Sequence, residues 1–165
     1  MIIQKSQQFA IHKHGNQKYG DYPYSYHLNY VVNILIEYGY GQDESIICSA
    51  WLHDTIEDTD TTYEMLMLEF TKEIADIVYA VSSEPGKNRI ERLTKTASKI
   101  IANKKALILK LADRIANTKF SLDSGSKIYQ MYRREFAQFK QLLYREQDSD
   151  IMPMWNRLIG LSQNL

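Results

Sequence analysis

Apolar residues recur along this chain at helical spacing. Between Tyr24 and Tyr38, the residues His27, Tyr30, Val31, Ile34 and Leu35 fall on an i, i+3, i+4, i+7, i+8 stripe, the core-facing side of an amphipathic helix. His27 shares that stripe and is expected to point inward. An earlier helix over about residues 2–13 carries Ile2, Ile3, Phe9, Ala10 and Ile11 and stops at Gly15-Asn16. Gln17 to Pro23 reads as a loop. Asp43-Glu44 opens a third helix with acidic residues at its positive end; it runs through Ile46, Ile47, Ala50, Trp51 and Leu52 to His53-Asp54. After a Thr59–Thr62 turn, Thr61 or Thr62 caps a short helix from near Tyr63, and another helix covers about 72–82. Ser83-Glu84-Pro85-Gly86-Lys87-Asn88 is the clearest loop. A basic helix follows over about 89–102, and Asn103 interrupts it. The segment Ala106 to Ala116 is apolar nearly all round, which predicts the central buried helix. A turn at Asp123–Ser126, a long helix over about 127–145 and a short one over about 152–161 complete the pattern.

Three prolines and seven glycines in 165 residues leave room for little besides helices. The expectation is an all-α, single-domain helical bundle spanning residues 1–165. Lys+Arg and Asp+Glu balance at 20 each, so nothing global favours nucleic acid or a membrane surface as a partner. No apolar run approaches a membrane span, and the N-terminus lacks the apolar core of a signal peptide, so a cytoplasmic location is expected. Cys48, in the apolar run Ile46-Ile47-Cys48, reads as a buried structural thiol.

One stretch does not fit a packing role. Trp51-Leu52-His53-Asp54-Thr55-Ile56-Glu57-Asp58 sets an imidazole and three carboxylates directly after an apolar run. Buried charges cost several kcal/mol each unless they are paired or bind a metal. Adjacent helical residues diverge by about 100°, so His53 and Asp54 reach one ion only from a groove edge or a helix end. Inward-facing His27 and Asp113, at the polar end of the most apolar helix, would complete a four-ligand set for a divalent ion. Taken singly, His27 also fits a hydrogen-bonded core histidine, and Asp113 an ion pair with Arg114 or another basic residue. Glu57 and Asp58 follow His53 and Asp54 at i+4 and suit proton transfer beside a metal, or else form a solvated acidic turn. Arg89, Arg92, Lys95 and Lys99 form either a solvated helix face or a phosphate-holding one, with Arg89 and Arg92 best placed beside the loop. His12 and His14 flank a helix end and are expected at the surface.

The order His27, His53-Asp54, Asp113 on successive helices resembles the HD-domain metal-dependent phosphohydrolases. His-Asp-Thr-Ile-Glu-Asp-Thr at 53–59 is similar to the His-Asp-x-x-Glu-Asp-Thr signature of the RelA/SpoT-type hydrolase domain, including its small stand-alone versions. Lys110-Leu111-Ala112-Asp113-Arg114-Ile115-Ala116-Asn117 resembles that family's Lys-Leu-Ala-Asp-Arg-x-x-Asn, and Pro23-Tyr24-Ser25-Tyr26-His27 its Pro-Tyr-x-x-His. The resemblance implies an HD-type bundle with His27, His53, Asp54 and Asp113 as ligands of Mn²⁺ or another divalent metal. It implies Glu57 and Asp58 as the acidic pair acting on water and substrate, and Asn117 as a residue lining the nucleotide site. Tyr132 resembles a late tyrosine near the nucleotide in small relatives. The implied reaction is hydrolysis of a phosphorylated purine nucleotide, in the best-known members removal of the 3′-pyrophosphate of ppGpp and pppGpp.

Two places depart from the family's pattern. Where it commonly has Arg-Lys before the metal histidine, this chain has Lys18-Tyr19. Where it often has Arg-Thr after the motif asparagine, this chain has Lys119-Phe120. The metal chemistry is intact while substrate-reading positions differ. Lys18, Arg89 and Asn117 are expected to place the substrate, with Arg92 and Tyr132 as further candidates. The alternatives are a 5′-nucleotidase-like or NADPH-directed phosphatase, and a non-catalytic nucleotide-binding module. Oligomeric state stays open.

Overall fold

The computed structural model describes residues 1–163. The chain divides into two compact units, Met1–Ser82 and a second that begins at Ser83, inside the loop expected from composition. No helix among the described residues is long and apolar enough to cross a membrane.

In the first unit, helix α1 (Ile2–His14) turns its small residues inward. Ser6, Ala10 and His14, spaced i, i+4, i+8, are its buried positions, whereas Ile11 is 44% exposed. Of the apolar residues that suggested the helix, only Ala10 belongs to its buried stripe. Small side chains let α1 lie close against α3 (Glu44–Leu52), where Cys48 is fully buried. Burial pushes the Cys48 thiol up, partly countered by a hydrogen bond with Ser6, as expected for an inert structural cysteine.

The expected Gln17–Pro23 loop contains a minimal hairpin. Lys18–Tyr19 (β1) pairs antiparallel with Tyr22–Pro23 (β2), in the register Lys18 to Pro23 and Tyr19 to Tyr22. Gly20, at φ +58°, takes the first position of the two-residue turn, where a positive φ is needed and glycine adopts it freely. Helix α2 (Ser25–Glu37) then buries His27, Val31, Ile34 and Leu35 of the stripe read from the sequence, together with Leu28 and Val32, while Tyr30 of that stripe is half-buried.

Asp43 caps α3, its Oδ1 accepting from the backbone N–H groups of Ser45 and Ile46 at 3.1 and 3.2 Å. The helix ends at Leu52, and after His53 and Asp54 a short helix α4 (Thr55–Asp58) resumes. Thr62 caps α5 (Tyr63–Glu69), the second of the two threonines anticipated, and Thr71 caps α6 (Lys72–Val81).

In the second unit, Asn88 caps α7 (Arg89–Ala102). Asn103 ends that helix and caps α8 (Lys104–Asp123), its Oδ1 accepting from Ala106 N–H at 3.2 Å. Every residue from Ala106 to Ala116 except Lys110 is buried, so α8 is the central buried helix of this unit. Helix α9 (Ile128–Leu143), a single 3-10 turn at Ser149–Ile151 and α10 (Met152–Gln163) complete it. Trp155, Phe139 and Leu143 of α9 and α10 are buried as well.

Candidate active site

The first unit gathers both histidines of the expected set and Asp54. His53 keeps helical angles (φ −58°, ψ −30°), but Asp54 turns to φ −99°, ψ −2°, the bridge region between helix and strand. That one-residue turn removes the divergence of neighbouring side chains. His53 Nε2 and Asp54 Oδ2 lie 3.0 Å apart, and His27 Nε2 lies 3.5 Å from the same oxygen. The two ring nitrogens, His27 Nε2 and His53 Nε2, are 3.2 Å apart. Both histidines are buried, and the Asp54 side chain is 20% exposed.

The proton positions follow from the partners. His53 Nδ1 is 2.8 Å from the Ala50 carbonyl, which only accepts, so Nδ1 carries the hydrogen. In neutral His53 the lone pair of Nε2 therefore points at a carboxylate oxygen and a second imidazole nitrogen. Acceptors facing one another at 3 Å need a proton or a cation among them. A divalent metal fits this donor set: imidazole nitrogens and a carboxylate oxygen, with the far ring nitrogen of His53 fixed by a backbone carbonyl. With a proton in that place instead of a metal, the histidines become donors: burial raises the Asp54 carboxyl, but the His53 charge and the hydrogen bonds then made by both histidines outweigh that and hold it well below the usual carboxylate range.

Three neighbours that sequence reasoning did not assign hold this cluster. Tyr24 donates its hydroxyl to Asp54 Oδ2 at 2.6 Å. Tyr19 stacks on the His27 ring, centroids 4.6 Å apart and planes at 26°. Gln17 donates from Nε2 to Asp58 Oδ2 at 2.7 Å. Tyr24 belongs to a motif that was read, but contacts made from a loop carry no periodic signal. His14 was expected at the surface and is instead 6% exposed, covered by the stacked ring of Tyr24 at 4.4 Å; His12 is exposed as expected. Glu57 and Asp58 occupy α4, exposed and one turn beyond His53 and Asp54. Thr59 braces that turn, donating from Oγ1 to the Thr55 carbonyl at 2.6 Å and accepting from Thr61 N–H at 3.1 Å. Lys18 is exposed on β1.

In the second unit Asp113 is buried on α8. Its partners there are Asn117 Nδ2 at 2.5 Å on Oδ1 and Lys110 Nζ at 3.3 Å on Oδ2. Arg114, the neighbour considered as its counter-ion, turns away to Glu135 at 3.2 Å and lies against the rings of Tyr132 and Phe139, 4.4 and 4.9 Å from their centroids. Glu135 also takes Arg89 at 2.9 Å, and the Arg89 guanidinium lies 5.6 Å from the Tyr132 ring. Two of the expected substrate residues, Arg89 and Tyr132, therefore belong to one cluster, while Arg92 is half-buried on α7. Burial lowers Arg114 from its ordinary value against the pull of Glu135, and burial raises the Tyr132 phenol. Lys95 pairs with Glu91 at 2.7 Å and Lys99 with Glu84 at 2.5 Å, so these two lysines of the basic helix have carboxylate partners.

The family model described as HD domain matches residues 7–145, running through both units. A guanosine-3′,5′-bis(diphosphate) 3′-pyrophosphohydrolase of Aquifex aeolicus is 38% identical over 127 residues, 71% of this chain and 17% of that protein. The pyrophosphohydrolase MESH1 of Danio rerio is 34% identical over 122 residues, 72% of this chain and 68% of that protein. The chain thus spans only a small part of the first relative and about two thirds of the second. Among solved structures, a metazoan ortholog of SpoT that hydrolyzes ppGpp superposes with a TM-score of 0.79 at 23% identity, covering 99% of this chain and 97% of that one. The all-α HD-type fold is common to both, and the chain belongs to the HD domain family, RelA/SpoT type.

Proposed function

We propose that the chain is a Mn²⁺-dependent phosphohydrolase that removes the 3′-pyrophosphate of a guanosine 3′,5′-bis(diphosphate)-type nucleotide. The observation that carries this reading is the convergence of His27, His53 and Asp54 on one point, with Glu57 and Asp58 one helical turn further on. The relatives' names support the substrate class. His27, His53 and Asp54 would hold the ion, and the motif at 110–117 offers Asp113 as the fourth ligand that the family resemblance implies. When bound, a divalent ion there supplies Lewis acidity toward water and a phosphoryl oxygen. Of the exposed carboxylates, one takes a proton from the attacking water as the P–O bond breaks, and the other returns a proton to the departing 3′ oxygen. Lys18, Arg89, Arg92, Asn117 and Tyr132 are the proposed contacts to the nucleotide, with the two guanidinium groups suited to phosphate.

The test is a Mn²⁺-supplemented panel of ppGpp, deoxynucleoside monophosphates and NADPH, with phosphate and pyrophosphate release both followed. Pyrophosphate from ppGpp is the expected product. Asp54→Ala should lose metal and hydrolysis together, whereas Glu57→Ala should keep the metal and lose turnover. Hydrolysis by a metal-free Asp54→Ala sample would sink the mechanism. A second reading, an NADPH-directed or 5′-nucleotidase-like phosphatase, draws on the departures near the substrate. Tyr19 packs on His27, and Lys119 is paired with Asp123 at 2.5 Å. Phosphate release from NADPH or a monophosphate, with ppGpp left intact, would select it.

A further inference from the structure

We infer that His14 and Gln17 form a positioning relay that aims the Asp58 carboxylate, so that the loop before α2 tunes turnover without touching the metal. The inference rests on the reading of Asp58 as half of the acidic pair.

The directions of the hydrogen bonds can be assigned from one end. An ionised carboxylate only accepts, so Gln17 must present its NH₂ to Asp58 Oδ2, at 2.7 Å. Its carbonyl Oε1 then faces His14 Nδ1 at 2.8 Å, which makes Nδ1 the protonated nitrogen of His14. His14 Nε2 is buried with no hydrogen-bond partner among the described residues, as suits the bare acceptor of that tautomer. A histidine in the other tautomer would set a lone pair against the glutamine carbonyl, and the amide would turn its own acceptor toward Asp58.

Backbone contacts hold the relay as well. Gln17 N–H donates to the His14 carbonyl at 2.9 Å, and Tyr24 N–H donates to the Gln17 carbonyl at 3.0 Å. The His14 ring is fixed between the end of α1 and the face of Tyr24, whose hydroxyl holds Asp54. One aromatic stack therefore ties the support of a metal-side carboxylate to the support of a proton-handling one. With Oδ2 of Asp58 engaged by an amide donor, Oδ1 is left to face water and substrate. The residue types matter: Gln17 offers a donor and an acceptor at opposite corners of one amide, and His14 offers a rigid donor that packs flat on Tyr24.

The test is kinetic and uses the Mn²⁺-loaded chain with ppGpp. Gln17→Leu should lower kcat about tenfold, the size of effect expected of an outer hydrogen-bonding partner, and leave KM, Mn²⁺ affinity and Tm in place. In an Asp58→Asn background, Gln17→Leu should add nothing, because the amide acts only through that carboxylate. His14→Leu should lower kcat at least as far as Gln17→Leu, since it also strips the ring from Tyr24, and His14→Asn, whose amide nitrogen sits where Nδ1 does, should recover the part that runs through Gln17. Should His14→Leu fail to fold, the Gln17 and Asp58 cycle decides alone. A Gln17→Leu enzyme with unchanged kcat beside a crippled Asp58→Asn would overturn the relay and leave the acidic-pair reading standing. Full multiplicative losses in the double variant would overturn it too. An Asp58→Asn enzyme at unchanged kcat would overturn both.

Discussion

The two units handle buried charge in opposite ways. In the second, every charged group of the Arg89–Arg114–Glu135 cluster meets its opposite, and aromatic faces cover the guanidinium groups. In the first, two imidazole nitrogens and a carboxylate oxygen crowd within 3.0 to 3.5 Å of one another. A cluster in which each charge already faces its opposite is complete as folded. A cluster of crowded lone-pair atoms is complete only when a proton or a metal ion is shared among them. Buried ionisable residues therefore mark a metal site by the sign of what they face, not by their number.

That contrast can be broken deliberately. The largest expected effect on stability is in the second unit. Glu135→Ala strands the buried Arg114 guanidinium without its carboxylate and should cost about 3–5 kcal/mol, seen as a lower urea midpoint. The same substitution to Gln should recover part of that, since an amide oxygen still accepts. Tyr24→Phe comes next: it deletes one hydrogen bond to Asp54 Oδ2, and Mn²⁺ affinity should fall roughly 10–100-fold in a titration, with little change in apo stability. The smallest effect sharpens the comparison at two helix starts. Asn103 caps α8 with its side chain, whereas Asp54 stands at the start of α4 and makes no side-chain cap. Asn103→Ala should therefore cost about 1 kcal/mol, while Asp54→Ala loses no cap energy, and any Tm it loses without metal should come from Tyr24 and the two histidines it faces. In a Tyr24→Phe background that loss should shrink; an undiminished loss would mean that Asp54 serves the helix and not the cluster.

How much of this was legible in the sequence depends on the range of the signal. The α2 stripe and the nearly uniform apolar run of α8 are period signals within one segment, and both predicted burial closely. Asn103 marked a boundary because asparagine both ends and caps helices. The chemistry at 53–58 was visible because charge in an apolar context has few innocent explanations. The hairpin was not visible, since two-residue strands are too short to alternate. His14 was misplaced because its cover, the Tyr24 ring, comes from ten residues away across a turn. The small-residue face of α1 was hidden for a related reason: Ser6, Ala10 and His14 are buried by the closeness of another helix and not by their own apolarity. Gln17 to Asp58 and Tyr24 to Asp54 are single side-chain pairings between distant positions, and no local pattern announces them.

The register of the small hairpin has a consequence for how this site tolerates length changes. Strand residues alternate sides, so Tyr19 lies against His27 while its neighbour Lys18 points to solvent. A one-residue insertion between Gly15 and Lys18, with the strand positions kept, would carry Lys18 into the place of Tyr19, setting an ammonium group where an aromatic ring now backs the histidine. Point substitutions in this loop would grade the activity; a single-codon slip would reverse the polarity of what stands behind His27.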